Sequence, residues 1–245
     1  MKKLGLPDGI RACLFDLDGV ITKTAVVHAA AWKDMFDAFL RDRDGEGFRP
    51  FDSSDYDEYV DGRPRADGVR AFLASRNIAL PDGSPDDDPT ENTVSGLGNR
   101  KNVLLLEKIR TQGVEAYPGS LRYIAAVREH GLRTAVVSSS TNCQDILKAV
   151  DAESLFEVRI DGVVAAERGL PGKPHPDTFL AAARELGVDA SAAAVFEDAL
   201  AGMDAGRAGN FGYVVGVDRV GQAAALSAHG ADTVVTDLAD LESDL

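Results

Sequence analysis

The chain alternates short, uniformly apolar runs with longer segments in which apolar residues recur at helical spacing. The apolar runs are bounded by polar residues or glycine, and they lie at 10–15, 134–137, 158–160, 193–196, 213–215 and 233–235. Strands that are apolar throughout are typical of a parallel sheet with both faces covered. Beyond residue 118 the intervening segments have helical spacing, and Gly131 and Gly187 mark helix ends. This alternation predicts an α/β fold, with a doubly wound parallel-sheet (Rossmann-like) core.

The pattern changes between the first strand and the rest of this core. Apolar residues recur at helical spacing in 28–40, 66–73 and 103–109, whereas 48–59 is polar and rich in turn residues. We therefore expect a helical domain inserted after the first strand. The expected boundaries are 1–23 and 114–245 for the core, and 24–113 for the insertion.

Charge and composition narrow the classes of partner. The chain has 26 basic and 40 acidic residues, which gives a net charge of −14. Nucleic acid and anionic membranes attract clustered Lys and Arg, so we expect neither as a partner. No run approaches the ~18 apolar residues of a transmembrane helix, and no secretion signal is evident. Because Cys13 and Cys143 do not suggest a disulfide scaffold, we expect a cytoplasmic protein, and a monomer.

Polar residues cluster where three of the predicted strands end. The clusters are Asp16 with Asp18, Ser138 with Ser139 and Ser140, and Glu197 with Asp198. A single acidic residue after a strand is usually a helix cap or a turn residue. Parallel strands, however, bring their carboxyl ends to one sheet edge, so three such clusters together favour a site. Crowded carboxylates are costly without a cation, and hard oxygen ligands indicate Mg²⁺.

These residues also resemble a known family pattern. The four segments that carry the resemblance are Asp16–Thr22, Ser138, Gly172–Asp177 with Lys173, and Glu197–Asp198. In this order they resemble the four motifs of the haloacid dehalogenase superfamily. Within it the chain is most similar to the β-phosphoglucomutase-like group, whose helical cap domain lies at the position of the insertion. Matches to that group in the insertion are Thr24, His28, Trp32, Gly62–Arg65 and Arg100–Asn102.

The resemblance implies a role for each residue of the core. Asp16 is the implied nucleophile, which forms an aspartyl-phosphate, and Asp18 is the implied general acid and base. Ser138 is expected to donate a hydrogen bond to a phosphoryl oxygen. Lys173 is expected to neutralise charge between the phosphate and Asp16, although alone it resembles a surface lysine before a helix. The implied magnesium ligands are Asp16, Asp18 through its backbone carbonyl, Glu197 and Asp198.

The resemblance also implies that the cap selects the substrate, a small phosphorylated sugar. His28 is expected to couple cap closure to the position of Asp18, and Lys101 is expected to reach the substrate phosphate. Taken alone, a helical histidine or lysine is more simply a surface residue. The full set of implied substrate-binding residues is Thr24, His28, Trp32, Arg65, Lys101, Ser139, Ser140 and Asn142.

Three positions depart from the usual pattern of the group. Lys23 stands where an Asp is usual, Thr141 where many members have Lys or Arg, and Gly68 where Ser is frequent. The first two of these departures change charge, near the hinge and near the expected phosphate site. We therefore expect them to bear on which substrate is bound and not on the type of reaction.

Three functions are compatible with these residues. We favour a mutase that converts β-glucose 1-phosphate to glucose 6-phosphate through a bisphosphorylated sugar, which requires a cap that excludes water. The alternative is a sugar-phosphate phosphatase, which uses the same core and admits water. A remote alternative is a non-enzymatic receiver module that is switched by phosphorylation of an Asp, although receivers lack a long insertion after the first strand.

Overall fold

The structure is a computed structural model, and it describes residues 3–242. Its Cα positions divide the chain into two compact units. The first unit comprises the chain up to Lys23 together with the chain from Val114 onward, and the second is the continuous segment Thr24–Gly113. Each unit has a hydrophobic core of its own.

The second unit is helical. Its helices are α1 (Ala25–Asp44), α2 (Ser53–Asp55), α3 (Arg65–Ser75) and α4 (Val94–Gln112), with a 3₁₀ turn at Gly45–Gly47 and a π-helical turn at Tyr56–Val60. Trp32 and Phe36 of α1 stack with ring centroids 5.3 Å apart. Phe36 also contacts Phe51 and Phe72. Buried aromatic rings from α1, α3 and the segment before α2 therefore hold this unit together.

The start of α4 differs from the expectation. The helix begins at Val94 and not near residue 103, because Thr93 caps it by accepting the Gly96 amide at 2.9 Å. Glycines in the first turns obscured the helix, since each lowers helix propensity by about 1 kcal/mol relative to Ala. Gly96 is there for space: a Cβ atom would lie 2.4 Å from the Glu91 carbonyl oxygen.

The first unit is an α/β structure. Its strands are β1 (Ala12–Phe15), β2 (Arg133–Val137), β3 (Val158–Ile160), β4 (Ala193–Glu197), β5 (Tyr213–Val217) and β6 (Thr233–Val235). Its helices are α5 (Pro118–Glu129), α6 (Cys143–Ala149), α7 (Gly162–Arg168), α8 (Asp177–Glu185), α9 (Leu200–Ala208) and α10 (Ala223–Ala228). Short 3₁₀ turns lie at Glu153–Leu155, Ala190–Ala192 and Leu238–Leu241. Every residue of β1 and β4 is buried, as expected for uniformly apolar strands.

The strands form a parallel sheet in the order β3-β2-β1-β4-β5-β6. From β1 the chain proceeds outward through β2 and β3, and then returns to the other side of β1 for β4, β5 and β6. This reversal beside β1 is the switch point of a doubly wound sheet, where ligands bind outside the carboxyl ends of the strands. The predicted fold class is confirmed.

Two paired segments of the first unit lead to and from the second. Thr22 and Ala116 form an antiparallel bridge, and the Lys23 amide donates to the Glu115 carbonyl at 2.8 Å. Lys23 Nζ also lies 2.6 Å from Glu115 Oε2, but these side chains are 44% and 73% exposed, so the ion pair adds little stability. The chain therefore leaves and re-enters the first unit at adjacent backbone positions.

Cys13 of β1 and Cys143 at the start of α6 are buried free thiols. Burial raises the pKa of both thiols, and for Cys143 the nearby carboxylates of Asp161, Asp18 and Asp16 add to the rise. Both thiols are therefore protonated at neutral pH.

Among residues 3–242, no helix is both long enough and apolar enough to cross a membrane.

Candidate active site

Asp16 is the first residue after β1, and the sheet sets its position. Its amide donates to the Phe196 carbonyl of β4 at 2.9 Å, which continues the ladder past the end of the strand. Asp18 follows in a tight turn, in which the Gly19 amide donates to the Thr22 carbonyl at 2.7 Å. The strand and the turn therefore place Asp16 and Asp18 together at the carboxyl edge of the sheet.

Gly19 allows the loops after β1 and β4 to touch. Its φ is +87°, a left-handed conformation that favours glycine. A Cβ atom at this position would lie 1.7 Å from Asp198 Oδ2. The Asp198 carboxylate thus lies directly against the backbone that follows Asp18, and only glycine permits this approach.

Lys173 joins the two loops electrostatically. Its Nζ atom lies 2.5 Å from Asp16 Oδ1 and 2.5 Å from Glu197 Oε1, and it donates to the Val137 carbonyl of β2 at 3.0 Å. The side chain is 1% exposed. An ammonium group buried this deeply requires close anionic partners. Residues at the ends of β1, β2 and β4 therefore all bind one lysine.

Glu197 has contacts at both of its carboxylate oxygens. Oε1 faces Lys173, and Oε2 accepts the amides of Asp198 and Ala199, each at 3.0 Å. Gly202 provides the necessary space, because a Cβ atom there would lie 1.9 Å from Glu197 Oε1. Glu197 therefore orders the loop that carries Asp198.

The buried charges shift one another's pKa. Burial raises the pKa of Asp16; the Lys173 ammonium acts against this, and the carboxylates of Glu197 and Asp18 add to it. Burial alone would lower the pKa of Lys173, but Asp16 and Glu197 outweigh it and raise that pKa above its ordinary value. Lys173 therefore carries a positive charge throughout the physiological pH range.

Three carboxylates lie close enough together to bind one cation. Asp16, Glu197 and Asp198 each offer an oxygen, and these oxygens lie within 4.8 Å of one another. All three residues are buried, and the single charge of Lys173 does not balance them. Buried carboxylate oxygens at this spacing fit the predicted Mg²⁺.

The serine-rich loop after β2 is stabilised by its own side chains. Ser138 Oγ accepts the Ser140 amide and Ser140 Oγ accepts the Asn142 amide, each at 3.1 Å. The start of α7 packs against this loop: a Cβ atom at Gly162 would lie 2.8 Å from the Ser139 carbonyl oxygen. The loop shares the sheet edge of Asp16, and the phosphate contacts expected of Ser138, Ser139, Ser140 and Asn142 stay predictions.

In the second unit, three of the predicted substrate-binding residues are in contact. Lys101 Nζ lies 3.1 Å from His28 Nδ1 and 4.9 Å from the centroid of the Trp32 ring. Arg65 contacts the same helix, α4, one turn earlier, where its Nη1 donates to the Gly98 carbonyl at 3.4 Å. Burial lowers the pKa of the Arg65 guanidinium.

Thr24 is buried and immediately precedes α1, and its carbonyl accepts the His28 amide at 2.8 Å. Thr24 and His28 therefore lie on successive turns. That this group acts together with Asp16 and Asp18 stays a prediction.

Polar residues also follow β3 and β5, and these were not predicted to matter. Asp161 follows β3 and caps α7 by accepting the amides of Val163 and Val164. Asp218 and Arg219 follow β5, and the Arg219 Nε donates to the Gly19 carbonyl at 2.9 Å. Asp161 and Asp218 directly follow a strand, as Asp16 does, and that position is the signal by which they can be found; Arg219 lies one residue further on and has no such signal.

Comparison with known proteins gives consistent matches across both units. Residues 10–210 match the family model of the haloacid dehalogenase-like hydrolases. The chain is 57% identical to a β-phosphoglucomutase of Mycobacterium bovis, over 98% of this chain and 94% of that protein. It is 31% identical to a β-phosphoglucomutase of Bacillus subtilis, over 96% of this chain and 93% of that protein. It is also similar to the crystal structure of a β-phosphoglucomutase from Clostridium difficile, with a TM-score of 0.75, 26% identity and coverage of 95% and 93% of the two chains.

Proposed function

The chain belongs to the haloacid dehalogenase-like hydrolase family, a family of enzymes, and on that premise we propose that it is a Mg²⁺-dependent β-phosphoglucomutase. In this proposal it interconverts β-glucose 1-phosphate and glucose 6-phosphate. The observation that carries the proposal is the buried Lys173 between Asp16 and Glu197, beside Asp198. The 57% identity to a β-phosphoglucomutase over nearly the whole chain supports the choice of reaction. Membership of an enzyme family argues against the receiver module.

Asp16 performs the first transfer. One carboxylate oxygen attacks the phosphorus atom of one phosphate of glucose 1,6-bisphosphate, and an O–P bond forms as the bond from phosphorus to the sugar oxygen breaks. Lys173 holds Asp16 through Oδ1, and its charge offsets that of the phosphoryl oxygens. Asp18 gives a proton to the leaving sugar oxygen. The products are an aspartyl-phosphate and a glucose monophosphate with one free hydroxyl group.

The second transfer moves the phosphoryl group to another hydroxyl group. Asp18, now a carboxylate, takes the proton of the 6-hydroxyl group of β-glucose 1-phosphate, whose oxygen attacks phosphorus, releases Asp16 and so forms glucose 1,6-bisphosphate. Since glucose 1,6-bisphosphate carries a phosphate at both positions, either can be returned to Asp16. Transfer of the C1 phosphate to Asp16 leaves glucose 6-phosphate, and transfer of the C6 phosphate leaves β-glucose 1-phosphate, the substrate.

Asp16, Asp198 and the backbone carbonyl of Asp18 are the residues we assign to Mg²⁺, with Glu197 completing the group. The contact between Gly19 and the Asp198 carboxylate supports this set, because it brings the backbone after Asp18 beside Asp198. When bound, Mg²⁺ supplies positive charge that offsets the repulsion between the carboxylate nucleophile and the phosphoryl oxygens.

His28 and Lys101 are assigned to the coupling of substrate binding to cap closure. Their contact at 3.1 Å supports this role, because a substrate phosphate that binds Lys101 necessarily changes the surroundings of His28. Closure that excludes water favours transfer to sugar over hydrolysis.

The proposal is tested by incubating the protein with β-glucose 1-phosphate, Mg²⁺ and a trace of glucose 1,6-bisphosphate while glucose 6-phosphate is measured. We expect product from the β anomer, little from the α anomer, and none after Mg²⁺ is removed with EDTA. Asp16→Asn keeps the size of the side chain and removes the nucleophile, so it is expected to abolish turnover. Release of inorganic phosphate in place of glucose 6-phosphate would identify a sugar-phosphate phosphatase and overturn the mutase assignment.

A further inference from the structure

The loop after β5 is a preformed structure. The carboxylate of Asp218, the first residue after the strand, accepts four backbone amides. These are the amides of Val220, Gly221, Gln222 and Ala223, at 3.2, 2.7, 2.8 and 3.1 Å. Four such bonds to one carboxylate fix the path of the loop before any ligand binds. They also lower the pKa of Asp218, so the carboxylate is ionised at neutral pH.

Arg219 extends from this loop to the loop after β1. Its Nε donates to the Gly19 carbonyl at 2.9 Å and its Nη2 to the Val20 carbonyl at 3.4 Å. The guanidinium also donates to the Thr236 carbonyl at 2.6 Å and stacks on the Tyr117 ring, with Cζ 3.6 Å from the centroid. The side chain is 13% exposed. A planar group with several donors and a flat face suits this set of partners, and a lysine cannot reproduce it.

Gln222 extends from the same loop to the loop after β4. Its Nε2 donates to the Asp198 carbonyl at 2.9 Å. One short loop thus binds the backbone at Gly19, next to Asp18, and the backbone of Asp198. These are the two loops that touch where the Asp198 carboxylate lies against Gly19.

We propose that Arg219 and Gln222 are positioning residues, which set the spacing between Asp18 and Asp198 through the backbone carbonyls that they bind. The proposal rests on the proposed function only in assigning chemistry to Asp16, Asp18 and Asp198. A general acid and a metal ligand act well only when they are held within about 0.5 Å of the productive geometry. The loop after β5 supplies that restraint from the first unit alone.

The test compares Arg219→Met and Gln222→Ala with the wild-type protein. We expect each variant to lose about 10–100-fold in kcat or in Mg²⁺ affinity, with a small change in KM, because outer residues that orient metal ligands have effects of this size. Arg219→Met is expected to lower kcat most, and Gln222→Ala to weaken Mg²⁺ binding most. Mg²⁺ affinity is measured by titration calorimetry, which needs no turnover.

Hydrogen exchange of the metal-free protein gives a second readout that does not depend on activity. The amides of Gly19, Ile21 and Thr22 are bonded within the turn after β1, at 2.7–2.9 Å. We expect faster exchange of this segment in Arg219→Met, and partial recovery in Arg219→Lys, which keeps one donor.

Arg133→Met is the matched control. Arg133 is the first residue of β2, so it lies at the amino ends of the strands, away from the candidate site. There it pairs with Glu157 at 2.8 Å and donates to the Leu186 carbonyl. Its loss is expected to lower stability without changing kcat, Mg²⁺ affinity or exchange after β1.

The proposal is overturned if folded Arg219→Met and Gln222→Ala keep wild-type kcat, Mg²⁺ affinity and exchange. Should Arg219→Met fail to fold, Gln222→Ala and Arg219→Lys decide the question by the same measurements. A wild-type protein without mutase activity refutes the proposed function but leaves this test intact, since Mg²⁺ affinity and exchange are still measured.

Discussion

At the scale of single residues, Lys173 is the charge on which the site depends. It is the positive group that contacts both Asp16 and Glu197, each at 2.5 Å, within a nearly solvent-free region. Removing one partner of a buried ion pair costs about 3–5 kcal/mol, because the other charge stays buried without compensation. Taken alone, Lys173 resembled a lysine before a helix, and the family resemblance implied its role beside Asp16; its contact with Glu197 was not predicted, because that partner comes from a distant strand.

Lys173→Met is expected to abolish turnover and to lower the free energy of unfolding by about 3–5 kcal/mol at pH 8 in EDTA. Burial already raises the pKa of Asp16 in the wild-type protein, and loss of the ammonium, which acts against that rise, raises it further. A carboxyl group with a raised pKa loses stability as the pH rises through the interval between the two pKa values. The difference in free energy of unfolding between the wild-type protein and Lys173→Met should therefore become smaller as the pH is lowered toward 5. Urea unfolding measures it.

The exposed Lys148 gives a control for this experiment. Lys148→Met should change stability by less than about 0.5 kcal/mol at either pH. A deficit in Lys173→Met that is equal at pH 8 and pH 5 would show that the buried carboxylates do not account for it.

At the scale of elements, the strands were predicted well and some connections were not. The apolar run at 193–196 became β4 because burial on both faces selects one kind of side chain along its whole length. By contrast, no helix was predicted at α7, whose start depends on capping by Asp161. The candidate site followed the same division, since Asp16 and Asp198 end long apolar runs, whereas Arg219 acts through backbone carbonyls, which no residue pattern identifies.

Gly162→Ala should displace the serine-rich loop after β2, because the start of α7 packs directly against that loop. The added Cβ atom would lie 2.8 Å from the Ser139 carbonyl oxygen, so the loop after β2 or the start of α7 must shift. If this loop binds substrate phosphate, KM should rise at least roughly tenfold, because small displacements in a positioned site are costly. Steady-state kinetics with β-glucose 1-phosphate measure the effect.

Gly47→Ala is the matched control for this substitution, since a Cβ atom there meets nothing within 4 Å. It should leave KM unchanged. An unaltered KM in Gly162→Ala would remove the serine loop from the substrate site.

At the scale of the whole molecule, the second unit is an insertion between two paired segments. Thr22 bridges Ala116, and the Lys23 amide donates to the Glu115 carbonyl at 2.8 Å. The two chain segments that flank the second unit are therefore hydrogen-bonded to each other within the first unit. The expected boundaries at 23 and 114 arose from a change in sequence pattern, and the division into a core domain and a cap domain stays a prediction.

Replacing residues 25–113 with Asn-Gly should leave a folded first unit. The two segments already pair as in a hairpin, and Asn-Gly favours the tight turn that closes one. We expect cooperative thermal unfolding, retained hydrolysis of p-nitrophenyl phosphate, and loss of transfer to sugar. The same deletion with Asp16→Asn should show no hydrolysis. A shortened chain that fails to fold would show that the first unit depends on the second.

The two buried thiols give the chain a practical property. Cys13 and Cys143 are inaccessible and protonated, so maleimide reagents react with them slowly. A cysteine placed at Val103 in the second unit or at Val163 in the first, which are 53% and 43% exposed, would be the reactive one. With both cysteines introduced and labelled with a donor and an acceptor dye, single-molecule fluorescence energy transfer would report the distance between the two units during turnover.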